Sequence, residues 1–119
     1  MKKIYCIILF FAIVLKLNSQ TCTEVMEYVK AESYGTTYYS YSSDAISKVT
    51  FYTVYIDMQV YYFAIVCFKN NSYGCSEYIY QVGSNTKLNY SLNYNKSAGE
   101  AFWEYIEPYN DNLGCAPDF

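Results

Sequence analysis

Val60-Tyr61-Tyr62-Phe63-Ala64-Ile65-Val66-Cys67-Phe68 is the most hydrophobic run of the chain after residue 19. A strand with one wet face alternates apolar and polar residues. This one hardly alternates, and it is rich in β-branched and aromatic side chains. Nearly continuous apolarity marks a central strand covered on both faces.

The flanks read as its neighbours. Ile46 to Ile56 carries Val49, Phe51, Tyr52, Val54 and Tyr55, a strand composition, and Asp57-Met58 can turn the chain into the central strand. Glu77 to Val82 places Tyr78 and Tyr80 around Ile79 and forms the next strand. Upstream, Thr36 to Tyr41 is a short Thr- and Tyr-rich strand, closed by the turn Ser42-Ser43-Asp44. Thr21 and Glu24 stand three apart as a capping box, with Val25, Tyr28, Val29 and Glu32 at helical spacing, so a helix is expected over 22–33, ending near Gly35. Ser97 and Glu100 form a second capping box, opening a helix through Phe102 and Ile106 that Pro108 stops. Residues 85–94 fit two patterns: apolar residues at even positions suggest a strand, while Leu88 and Leu92 fit a helical face. The sum is an α+β domain, a small antiparallel sheet of about four strands packed with an N-terminal and a C-terminal helix. No internal repeat or linker interrupts it.

The first nineteen residues are of another kind. Met1-Lys2-Lys3 is cationic, Ile4 to Leu15 is almost wholly apolar, and Leu17-Asn18-Ser19-Gln20 is a small polar exit. These are the three regions of a secretory signal peptide. The apolar run is about a dozen residues, short of the ~20 a spanning helix needs. Cleavage between Ser19 and Gln20 leaves one domain, residues 20–119, and the membrane is met only before that cut. Cys22 is close enough to the cut to be acylated, but a lipoprotein cysteine follows Gly, Ala or Ser, and here Thr21 precedes it. The expected location is secreted or periplasmic.

The peptide removes Lys2, Lys3 and Lys16 and no acid. Of eight basic residues five remain against 11 acids, a net charge of −6. The chain has no arginine and no histidine. An acidic, arginine-free domain is poorly built for phosphate or nucleic acid, so no nucleic-acid partner is expected. Without histidine there are no Ser-His or Cys-His nucleophile pairs and no imidazole metal ligands. No catalytic, cofactor or metal site is assigned.

Cys6 leaves with the peptide, and Cys22, Cys67, Cys75 and Cys115 remain. Four cysteines in a small exported domain suggest two disulfides, with three pairings open. The preferred pairs are Cys67–Cys75, stapling a hairpin across the turn-rich 68–74 loop, and Cys22–Cys115, tying the domain's ends together. A four-thiolate zinc site lacks its Cys-x-x-Cys knuckles. So does a thiol oxidoreductase.

Residues 46–106 resemble the KTSC domain, a small family named after its occurrence at the C-terminus of some lysyl-tRNA synthetases. The resemblance is carried by Tyr52, the strand Val60 to Phe68, Tyr78-Ile79-Tyr80 with Val82, and Ser97-Ala98-Gly99 leading to Phe102 and Ile106. It implies a small sheet with packed helices. It implies no settled activity, and the export signal, the cysteines and the acidic body depart from an RNA context.

Tyrosine is the excess, 17 residues of which only Tyr5 lies in the signal peptide. Tyrosine serves as a half-buried strand residue with a wet hydroxyl, and it is also favoured at interfaces. The expected function is an exported, non-catalytic binding module that contacts a protein or glycan through exposed tyrosines and Trp103. The competing expectation is a small carboxylate-dependent hydrolase of cell-wall or extracellular glycan. It would draw on Glu100, Glu104 and Glu107 of one helix and on Glu77, since glycoside hydrolysis needs only two acids. Asn70-Asn71-Ser72, Asn89-Tyr90-Ser91 and Asn95-Lys96-Ser97 are glycosylation-type triplets in a host with that chemistry.

Overall fold

The computed structural model describes residues 18–70 and 73–119. Residues 1–17, most of the stretch expected to be a signal peptide, lie outside the described residues. The proposed Ser19–Gln20 cut falls in the first turn of helix α1, Asn18–Glu32.

Four strands follow: β1 (Thr36–Tyr39), β2 (Ile46–Ile56), β3 (Gln59–Lys69) and β4 (Cys75–Val82). They form one antiparallel sheet in the order β1-β2-β3-β4. Helices α2 (Thr86–Asn93) and α3 (Ala98–Tyr105) and a 3₁₀ turn (Glu107–Tyr109) complete the α+β architecture.

Strand β3 is central and covered on both faces, as its continuous apolarity requires. Ala64 and Val66 face α2 and α3, where they join Phe51, Tyr80, Tyr90, Phe102 and Ile106. Phe63 and Ile65 face the other way, toward Val29 of α1. The sheet is therefore the middle of three layers, and each covering layer supplies its own apolar cluster. Phe102 anchors the larger one. It meets Phe68 edge-on at 5.2 Å and Tyr80 at 5.6 Å, so truncation to Ala would cost about 3–5 kcal/mol.

A register shift between Ile46 and Lys48 adjusts the same packing. The extra residue on β2 lets Ile46 and Val49, three apart, both bury in the larger cluster. At the far end, Asp57 and Met58 both adopt positive φ, 51° and 67°, between the paired Ile56 and Gln59. This is the two-residue turn whose twist matches an antiparallel hairpin.

Several local expectations change. Thr21 lies inside α1 and so does not cap it, because the helix starts three residues earlier. Strand β1 stops at Tyr39 instead of Tyr41, because Ser43 Oγ accepts from the Ala45 and Ile46 N–H groups and holds the chain in a turn. Ser97 does cap α3, accepting from Glu100 N–H at 3.2 Å. The reciprocal half of that box is replaced, because Ser97 N–H donates to Asn93 O at 3.3 Å. Gly35 follows α1 where the chain passes over β2; a Cβ there would stand 2.8 Å from the Tyr52 ring.

Candidate functional site

The tyrosines divide by position. Tyr80 and Tyr90 are fully buried between sheet and helices. Burial pushes the Tyr90 hydroxyl up to about 12, and drives the Tyr80 hydroxyl well above its usual range, with Glu107 adding to it. Tyr34, Tyr41, Tyr55 and Tyr73 stand in solvent.

Two exposed rings belong to one groove. Tyr39 ends β1, and Tyr41 lies two residues on; their rings are 5.8 Å apart and within 5° of parallel. Tyr39 is 51% and Tyr41 87% exposed. They line an open groove of about 550 Å³ between the loop after β1 and the turn joining α2 to α3. Ser42, Ser43 and Asp44 continue the first wall, and Tyr94, Asn95 and Lys96 with the start of α3 form the second. Tyr94 is tied to the core, 5.5 Å from Tyr90 in a near-parallel stack and 5.1 Å from Tyr38.

The tyrosine-bearing loop is heavily braced. Ser40 N–H donates to Ser47 O at 2.9 Å, and Ser43 N–H to Ser40 O at 3.3 Å. Lys69 N–H donates to Ala45 O at 2.8 Å, and the Lys69 ammonium to the carbonyls of Tyr41 and Ser43. These anchors hold the loop's backbone, and with it the points from which the Tyr39 and Tyr41 side chains leave.

Of the carboxylates named from sequence, Glu77 and Glu107 line different grooves, and Glu100 and Glu104 stand one turn apart on α3. Glu77 is paired with Lys30 at 2.7 Å across α1 and β4. Glu107 accepts from Asn110 Nδ2 at 2.7 and 2.9 Å. Glu100 and Glu104 are exposed on α3. Glu77 shares a groove of about 630 Å³ with Asp118, beside Cys22 and Cys115, and not with Glu100 or Glu104. Among the described residues no three His, Cys, Asp or Glu side chains cluster to hold a metal.

The cysteines pair as Cys22–Cys115 and Cys67–Cys75, with Cα separations of 5.7 and 5.3 Å. Cys67 stands opposite Glu77 and Cys75 opposite Lys69, so the second bridge runs diagonally across β3 and β4. Both bonds are compatible with an oxidising extracellular or periplasmic compartment. No described helix is long and apolar enough to cross a membrane. Trp103 is not part of the groove's lining; its ring packs 5.0 Å from Phe119 and 5.4 Å from Phe102. Of the glycosylation-type triplets, Asn89 sits within α2, Asn95 is exposed at the groove, and Asn71 and Ser72 lie outside the described residues.

No family model, no curated protein and no solved structure matches the chain. The resemblance to the KTSC domain therefore rests on the quoted residues alone.

Proposed function

We propose that this chain is an exported, disulfide-stabilised interaction module that engages a protein or glycan partner outside the cell through exposed tyrosines, without catalysing a reaction. The observation that carries this reading is the parallel pair Tyr39 and Tyr41, left bare on a braced loop. Large aromatic rings in water gain little for folding, whereas rigid ones bind at low entropic cost. The export signal and the two disulfides support a place of work beyond the cytoplasm. The test is saturable binding of the labelled protein to intact cells and envelope preparations of its own host. Changing Tyr34, Tyr39, Tyr41, Tyr55 and Tyr73 together to Ser is expected to abolish that binding with the fold intact. Undiminished binding by this variant would overturn the reading.

A further inference from the structure

We infer that the groove between the Tyr39–Tyr41 loop and the α2–α3 turn is a binding site for a neutral glycan, with an outer ring face of the stacked Tyr39–Tyr41 pair as the platform. This rests on the reading of the chain as an extracellular binding module, and it names the site and the ligand class.

Shape argues first. The groove, about 550 Å³, falls within the range of small-ligand sites, whereas a standard protein interface is a broad patch of ~800 Å² on each partner. The lining argues next. Ser42 and Asn95 offer both donors and acceptors, and Asp44 offers acceptors. Ala98 and Gly99, which also line the groove, open the helix, where backbone N–H groups have no intrahelical acceptors. A Cβ on Gly99 would meet nothing within 4 Å, so the backbone there is open to a ligand. Sugar hydroxyls are donors and acceptors at once, which this mixture matches. The C–H faces of a pyranose match flat, electron-rich rings.

Charge then narrows the class. Asp44 and Lys96 are the charged residues of the lining and cancel. The ammonium of Lys69 is already committed to the carbonyls of Tyr41 and Ser43. Among the described residues no cationic cluster lines the groove for a phosphate or a polyanion, and the chain as a whole is acidic. The structure therefore favours uncharged hexose, pentose or N-acetylhexosamine polymers over acidic ones.

The experiment is retention of the protein, produced from the full chain, on cellulose, chitin, mannan, xylan and polyuronate, with wild type beside Y39S/Y41S and M58S. Near-UV circular dichroism confirms that each variant is folded. Retention is expected on at least one neutral polymer and not on polyuronate. Y39S/Y41S should weaken it about tenfold or more, while M58S, fully exposed in the turn at the other end of β2, retains it. Equal retention of Y39S/Y41S and wild type overturns the site. Retention on no neutral polymer overturns the glycan. If the protein still binds host envelopes in that case, the module reading stands without it; if it binds neither, both fall.

Discussion

Lys69, the last residue of β3, holds Ser43 through space: its ammonium donates to the Ser43 carbonyl, 26 residues earlier in the chain. The same ammonium reaches Tyr41 O at 3.4 Å, so one side chain braces the loop that carries the exposed ring. Lys69→Ala is expected to cost about 0.5–1 kcal/mol of global stability, since the contact is solvent-exposed. Its larger effect is local. Amide exchange of Ser43 and Ala45 should accelerate well beyond that of β2, which hydrogen exchange read by NMR would show. Equal acceleration throughout the sheet would mean that Lys69 does not brace the loop.

Tyr80 is buried to 1% exposure, and its hydroxyl has no hydrogen-bond partner among the described residues. An enclosed, unpaired hydroxyl costs free energy that a ring alone does not. Tyr80→Phe is therefore expected to raise stability by about 1 kcal/mol, measured as a shift in the urea midpoint at constant slope. A fall in the midpoint would show that the hydroxyl is paired.

Stability should decline in alkali. In the unfolded chain Tyr90 loses its proton near 10, whereas in the native protein burial holds the proton until about 12. Between these values the unfolded state binds fewer protons, so unfolding becomes easier as pH rises. The interval corresponds to roughly 2–3 kcal/mol from this group. Melting followed by circular dichroism from about pH 8 to 12 should show the loss beginning near 10, and Tyr90→Phe should lessen the slope. A flat profile would contradict the enclosure of the hydroxyl.

The Asp57-Met58 turn spends conformational energy on non-glycine residues. Left-handed backbone costs an L side chain about 1–2 kcal/mol, and Met58 is fully exposed with no packing to offset it. Met58→Gly should stabilise the hairpin by about 0.5–1 kcal/mol after the greater freedom of glycine in the unfolded chain is counted. Thermal denaturation of the two forms decides it; an unchanged or lower melting temperature would argue against the turn as described.

The sheet was legible in the sequence because strand β3 needs both faces covered and so is apolar almost throughout. Residues 85–94 were not, and the reason is specific. Leu88 and Leu92 carry the helical pattern in the sequence, yet they face solvent at 58% and 72% exposure. Helix α2 instead buries Thr86 and Tyr90, four apart, a pair that no hydrophobicity pattern ranks first. The groove was harder still. Tyr90 and Tyr41 are the same residue type, and only the tertiary fold sends one to the core and the other to water. Lys69 carries no sequence mark of its role either, because its partners are backbone carbonyls of a distant loop.

The Cys22–Cys115 bridge encloses the whole sheet within a covalent ring. A pull applied to the chain on either side of that ring travels through one sulfur–sulfur bond and bypasses every strand and helix between. The hydrogen-bonded ladder carries none of the load. Tension drawn through the proposed groove is another matter: it would enter the ring at the loop of Tyr41, where Lys69 ties that loop to the central strand.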